Sequence, residues 1–86
     1  MAEQPHAKTQ TFSLYDDRTR LVRDTMTAVY QALQEKGYEP ITQLVGYILS
    51  EDPTYITNHK NARALICRID RYELLSALVK DYLGLE

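Results

Sequence analysis

Only one cysteine occurs among the 86 residues, and a lone thiol can neither close an internal disulfide nor supply a multi-thiolate metal site. Tryptophan is absent, and the three glycines stand at 37, 46 and 84, too far apart to build a loop that cradles phosphate. Long apolar runs are missing as well. The longest stretch, Ile41 to Leu49, is interrupted by Thr42, Gln43 and Gly46 and falls well short of the roughly 20 residues that cross a bilayer. The opening MAEQPHAKTQTF has no apolar core of a signal peptide, so the expected location is cytoplasmic, with no membrane contact. Nor is there an excess of positive charge: a net charge of −2 and a pI near 5.6 exert no global pull on polyanions, and no nucleic acid is expected as a partner.

What remains is 44% hydrophobic and 26% charged, the composition of one ordinary soluble domain. So short a domain buries only about 60% of the surface its unfolded chain exposes. Self-association is therefore expected.

The first eleven residues carry no apolar periodicity, and residues 1–14 read as a flexible N-terminal tail ahead of a single helical domain over 15–86. A first helix is expected from about Asp16, capped by Asp16 or Asp17, with Val22, Met26, Val29, Tyr30 and Leu33 on its buried face. Gly37 suits the left-handed position after its end, with Tyr38 folding back toward Leu33. Pro40 opens a second helix whose stripe of Ile41, Leu44, Val45 and Ile48 is widened by Tyr47 and Leu49. Gly46 inside it implies another backbone close by, which makes Val45, Gly46 and Tyr47 the candidate subunit contact. Asp52-Pro53 opens a one-turn helix. A fourth, capped by Thr57 or Asn58, carries Ala62, Leu65, Ile66 and Ile69, and Asp70 with Glu73 starts a fifth that buries Leu74, Leu75, Leu78, Val79 and Tyr82 and ends at Gly84. The fold class is all-α, a compact bundle of about five helices.

The requirements of catalysis are poorly met. His6 falls in the tail and His59 at a helix start, neither at a motif spacing from a serine or cysteine nucleophile, so both read as surface histidines. His59, Asn58, Asn61 and Cys67 offer no recognised ligand spacing; no metal and no cofactor are expected. The acidic pairs Asp16-Asp17 and Glu51-Asp52 each precede a helix, where negative charge caps free N–H groups. Tyr30, Tyr47 and Tyr82 lie on apolar faces and read as core. The basic residues Lys60, Arg63, Arg68 and Arg71 concentrate on the fourth helix and the start of the fifth, where they form either a solvated face or a docking surface for an acidic or phosphorylated partner. A small nucleic-acid-binding regulator built on that helix is the alternative, opposed by the acidic total. Thr9 and Thr11 beside Lys8 are accessible hydroxyls in the tail, and a phosphate there would add about −1.5 to −2 charges.

The run YQALQEKGYEPITQLVGYILSEDPTYI from Tyr30 to Ile56, followed by HKNAR from His59 to Arg63 and DRYEL from Asp70 to Leu74, resembles the IreB/ReoM family of small regulatory phosphoproteins of Gram-positive bacteria. Weaker likeness extends to KTQTF over Lys8 to Phe12 and to Asp16-Asp17. The resemblance implies a non-enzymatic all-helical homodimer, phosphorylated on an N-terminal threonine by a membrane-anchored Ser/Thr kinase with extracellular PASTA repeats. It also implies control of peptidoglycan homeostasis and cephalosporin tolerance through Clp-type proteolysis of a peptidoglycan-precursor enzyme. By position relative to Asp16-Asp17, Thr9 matches the family's phosphorylated threonine, with Thr11 the second candidate. Arg63 and Arg71 match arginines of the family's basic surface, and Arg68 lies beside them. Asn58 and Cys67 depart from arginines common in relatives, and Glu51 replaces a frequent glycine.

Overall fold

The structure, a computed structural model, describes the backbone of residues 3–85 and the side chains of residues 17–85. Four α-helices make up the described residues: α1 (Glu3–Glu35), α2 (Pro40–Ser50), α3 (Ala62–Cys67) and α4 (Arg71–Leu83). Short 3-10 turns at Pro53–Tyr55 and His59–Asn61 join α2 to α3.

The 33 residues of α1, at 1.5 Å rise per residue, account for the 53 Å long axis of the molecule. Its backbone is helical from Glu3, so Asp16 and Asp17 lie within the helix and do not cap it. Nothing over this stretch breaks the helix, because Pro5 falls in the first turn, where the missing N–H has no partner to lose. Val22, Thr25, Val29, Ala32 and Leu33 recur at helical spacing and are buried, which gives α1 one face toward the core. The helix ends as its sequence dictates. Gly37 takes φ 82°, and the Tyr38 N–H reaches back to the Leu33 carbonyl at 3.0 Å, the 6→1 bond of a Schellman turn.

The core gathers Val29, Ala32 and Leu33 of α1 with Leu44 and Tyr47 of α2, Ile56 of the connection, and Ala62, Ile66 and Ile69. Leu74 is the one residue of α4 that joins it fully.

The fold has fewer α-helices than the five expected. Pro53–Tyr55 closes only a 3-10 turn, capped as anticipated by the Asp52 carboxylate, which accepts from the Thr54 N–H at 3.0 Å. The helix expected from Thr57 or Asn58 begins only at Ala62, because Lys60 and Asn61 adopt left-handed backbone (φ 52° and 64°) that a right-handed helix cannot contain. Thr57 acts one step earlier: its hydroxyl accepts from the His59 N–H at 3.1 Å. Asp70 caps α4 by accepting from the N–H groups of Tyr72 and Glu73.

Candidate functional site

The arginines singled out in the sequence divide by what their side chains touch. Arg63 turns inward, and its Nε donates to the Ile56 carbonyl at 2.8 Å, fastening α3 to the connection that precedes it. Arg71 reaches from the start of α4 to the C-terminal end of α2, where its two terminal nitrogens donate to the Ile48 carbonyl and the Glu51 carboxylate. The carbonyls at a helix end are unsatisfied and carry partial negative charge, so a forked cation is well suited there. Arg68 is exposed, and its side chain has no hydrogen-bond or ion-pair partner among the described residues, whereas its backbone N–H donates to the Leu65 carbonyl. Lys60 is paired with Glu35, at 3.4 Å. The basic surface expected from Lys60, Arg63, Arg68 and Arg71 is thus thinned by the fold's own use of three of the four.

Glu51 explains part of this arrangement. As the residue after α2 it takes left-handed backbone (φ 62°, ψ 18°), a conformation that glycine adopts freely and glutamate does not. Its side chain is held there by Arg71, while the Ser50 hydroxyl donates to the Gly46 carbonyl at 2.7 Å and accepts from the Asp52 N–H at 3.1 Å. Glu51 therefore finishes α2 instead of serving as N-terminal charge for the turn that follows.

Of the three candidate subunit contacts, Tyr47 is buried within its own chain and Val45 is half exposed. Gly46 faces the ring of Tyr55: a Cβ built on it would lie 2.4 Å from the Tyr55 ring. The close neighbour expected at this glycine is therefore an aromatic side chain, held in register by Gln43, whose side-chain amide donates to the Tyr55 carbonyl at 2.9 Å. The Tyr47 hydroxyl sits 3.9 Å from the Cys67 sulfur, and burial, with the neighbouring sulfur, pushes that hydroxyl's pKa up. Cys67 is exposed.

His59 joins the last residue of α1 to the second 3-10 turn, its Nε2 lying 2.7 Å from a Glu35 carboxylate oxygen. His59 and Lys60 together hold the Glu35 carboxyl below its ordinary range. Thr54 does the same for Asp52 through its hydroxyl and backbone N–H. Across the molecule, Arg18 pairs with Glu73, and Arg23 with Asp81 at 3.1 Å. These links tie α1 to α4 over more than fifty residues of sequence, and no local pattern announces them.

Thr9 and Thr11 fall on the helical backbone of α1, and their side chains lie outside the described residues. Among the described residues no group of three or more His, Cys, Asp or Glu side chains converges as a metal site would require, and no helix is long and apolar enough to cross a membrane.

The family model of the IreB regulatory phosphoproteins matches residues 7–84. The chain belongs to that family, and its class is therefore that of a regulatory phosphoprotein.

Proposed function

We propose that the chain is a non-enzymatic, cytoplasmic regulatory adaptor that acts as a homodimer and is switched by a PASTA-type Ser/Thr kinase. Phosphate is placed on Thr9, with Thr11 the second site, in the N-terminal segment 1–14, and Arg68, with Arg63 and Arg71 behind it, faces the partner. The output is control of peptidoglycan homeostasis and antibiotic tolerance, through Clp-type proteolysis of an enzyme that makes a peptidoglycan precursor. The observation that carries this reading is the family match, which begins at residue 7 and so includes both threonines. The physical route is the change of charge: about −1.5 to −2 added to a segment beside Lys8 alters how that segment docks on an acidic or basic surface.

Intact-mass analysis with peptide mapping, on protein from cells with and without the kinase, tests the switch. Kinase-dependent phosphate on Thr9, abolished by Thr9→Ala, is the expected result. Its complete absence under envelope stress contradicts the reading, as does a partner that binds the wild type and Thr9→Glu equally well.

A further inference from the structure

On α4, Tyr72, Leu75, Val79 and Tyr82 point away from the core. The two tyrosines are 80% and 90% exposed, and Leu75 and Val79 about half exposed, so that Leu75, Val79 and Tyr82 do not take the buried positions expected from the periodicity. Their spacing of three, four and three residues keeps them on one stripe of the helix. The stripe is also palindromic in chemistry: tyrosine, aliphatic, aliphatic, tyrosine, centred on position 77.

Two copies of such a stripe laid antiparallel across a twofold axis place Tyr72 of one copy beside Tyr82 of the other, and Leu75 beside Val79. An isologous contact requires this self-complementarity, in which residue i meets j while j meets i. The carboxylates of Glu73 and Asp81 also fall at equal distances from position 77, and each is already paired with an arginine of α1, so the pairing does not oppose two uncompensated like charges.

We propose that the outer face of α4 is the contact with a second copy of this chain, made antiparallel about a twofold axis near position 77. The proposal rests on the homodimer reading above and deepens it by naming the surface. Two arguments select a second copy as the occupant. The first is need: α4 is a 13-residue helix with one buried residue, near the lower limit of about 12–15 residues for a helix stable in water. Its attachment to α1 includes the two surface ion pairs, whose attraction is weakened by solvent and salt. The second is area. A buried aromatic side chain removes about 150–250 Å² from water, so four tyrosines supply a large part of the roughly 1,200 Å² at the low end of specific interfaces, before the aliphatic residues and Leu83 are counted. The exposed face of α2, with Ile41, Val45 and Leu49, has neither argument in its favour, since it carries no exposed aromatic and three buried residues already hold α2 in place.

Sedimentation equilibrium on the full chain at micromolar concentration, with wild type, Val79→Glu, Leu75→Glu and Val45→Glu, tests the surface. The expected result is a wild-type dimer that weakens at least about tenfold on placing a charge at 75 or 79 and persists with the charge at 45. A second measurement does not depend on those variants keeping their fold. In a Cys67→Ser background, mild oxidation of the Tyr72→Cys/Tyr82→Cys double variant yields a covalent dimer, while neither single variant does. A dimer indifferent to Val79→Glu, or single variants that cross-link as well as the double, overturns the α4 surface and leaves the homodimer reading standing. A wild-type monomer overturns both.

Discussion

The two ends of α1 stand in different company. Its C-terminal half packs Val29, Ala32 and Leu33 against α2, Ile56 and α3, where Ile56, Ile66 and Leu33 have no exposed surface. On the other side, α4 covers α1 with Leu74 buried, Leu78 and Ala77 partly so, and a shallow groove left open between Val22, Met26, Ala77 and Leu78. Both sides use the same apolar residue types. They differ in how completely the chain covers them: Leu33, Ile56 and Ile66 have no exposed surface, whereas Tyr72, Leu75, Val79 and Tyr82 on the outer side of α4 stay open, the surface proposed above to meet a second copy.

The comparison can be broken from its strong side first. Ile66→Ala or Leu33→Ala should lower stability by about 2–5 kcal/mol through lost burial and a cavity, read from urea unfolding. Leu75→Ala, outside the core, should change the unfolding of the dilute protein by no more than about 0.5 kcal/mol. Equal losses would erase the distinction. Next comes Gly46, where Ala places a Cβ against the Tyr55 ring. Gly46→Ala should destabilise by about 1–3 kcal/mol, and in a Tyr55→Ala background the same change should turn neutral or stabilising, since alanine is the better helix residue by about 1 kcal/mol.

The arginines sharpen it further. Arg71→Met, which strips the end of α2 of its donor, should cost about 1 kcal/mol, whereas Arg68→Met should stay within about 0.5 kcal/mol. Smaller again, Arg23→Gln on the α4 side should lose about 0–1 kcal/mol, and the loss should vanish in high salt. The pH response belongs to the packed side. Glu35 has its pKa lowered in the folded state by His59 and Lys60, so its contribution is complete above the ordinary value of 4.5 and is lost as pH falls through the depressed one. Acid titration followed by circular dichroism should show a smaller loss of stability over that range in Glu35→Gln than in wild type.

What could be read from the sequence was local. Gly37 followed by Tyr38, Asp52 before Pro53, and Asp70 three residues before Glu73 each announce a helix boundary within a turn of chain, and each cap forms. The all-helical class followed from apolar spacing. Two kinds of feature did not show. Lys60 and Asn61 are left-handed although neither is glycine, so the late start of α3 had no compositional mark. The fate of α4's apolar residues depends on which of two adjacent stripes turns inward, and periodicity alone could not choose Leu74 and Leu78 over Leu75, Val79 and Tyr82. The roles of Arg63 and Arg71 were hidden for a related reason, since a cation on a helix looks the same in sequence whether it meets solvent or the carbonyl of a neighbouring element. Charge pattern suggested a surface, and the fold had already taken up most of it.

Native-state hydrogen exchange over a series of protein concentrations tests most directly whether one side of the molecule is complete in a single chain and the other is not. The account predicts that amides of α3 and the C-terminal half of α1 exchange at rates set by the chain alone until global unfolding. Protection of α4 should rise with concentration as a second copy covers Tyr72, Leu75, Val79 and Tyr82. Protection of α4 that matches α3 and is independent of concentration would contradict it.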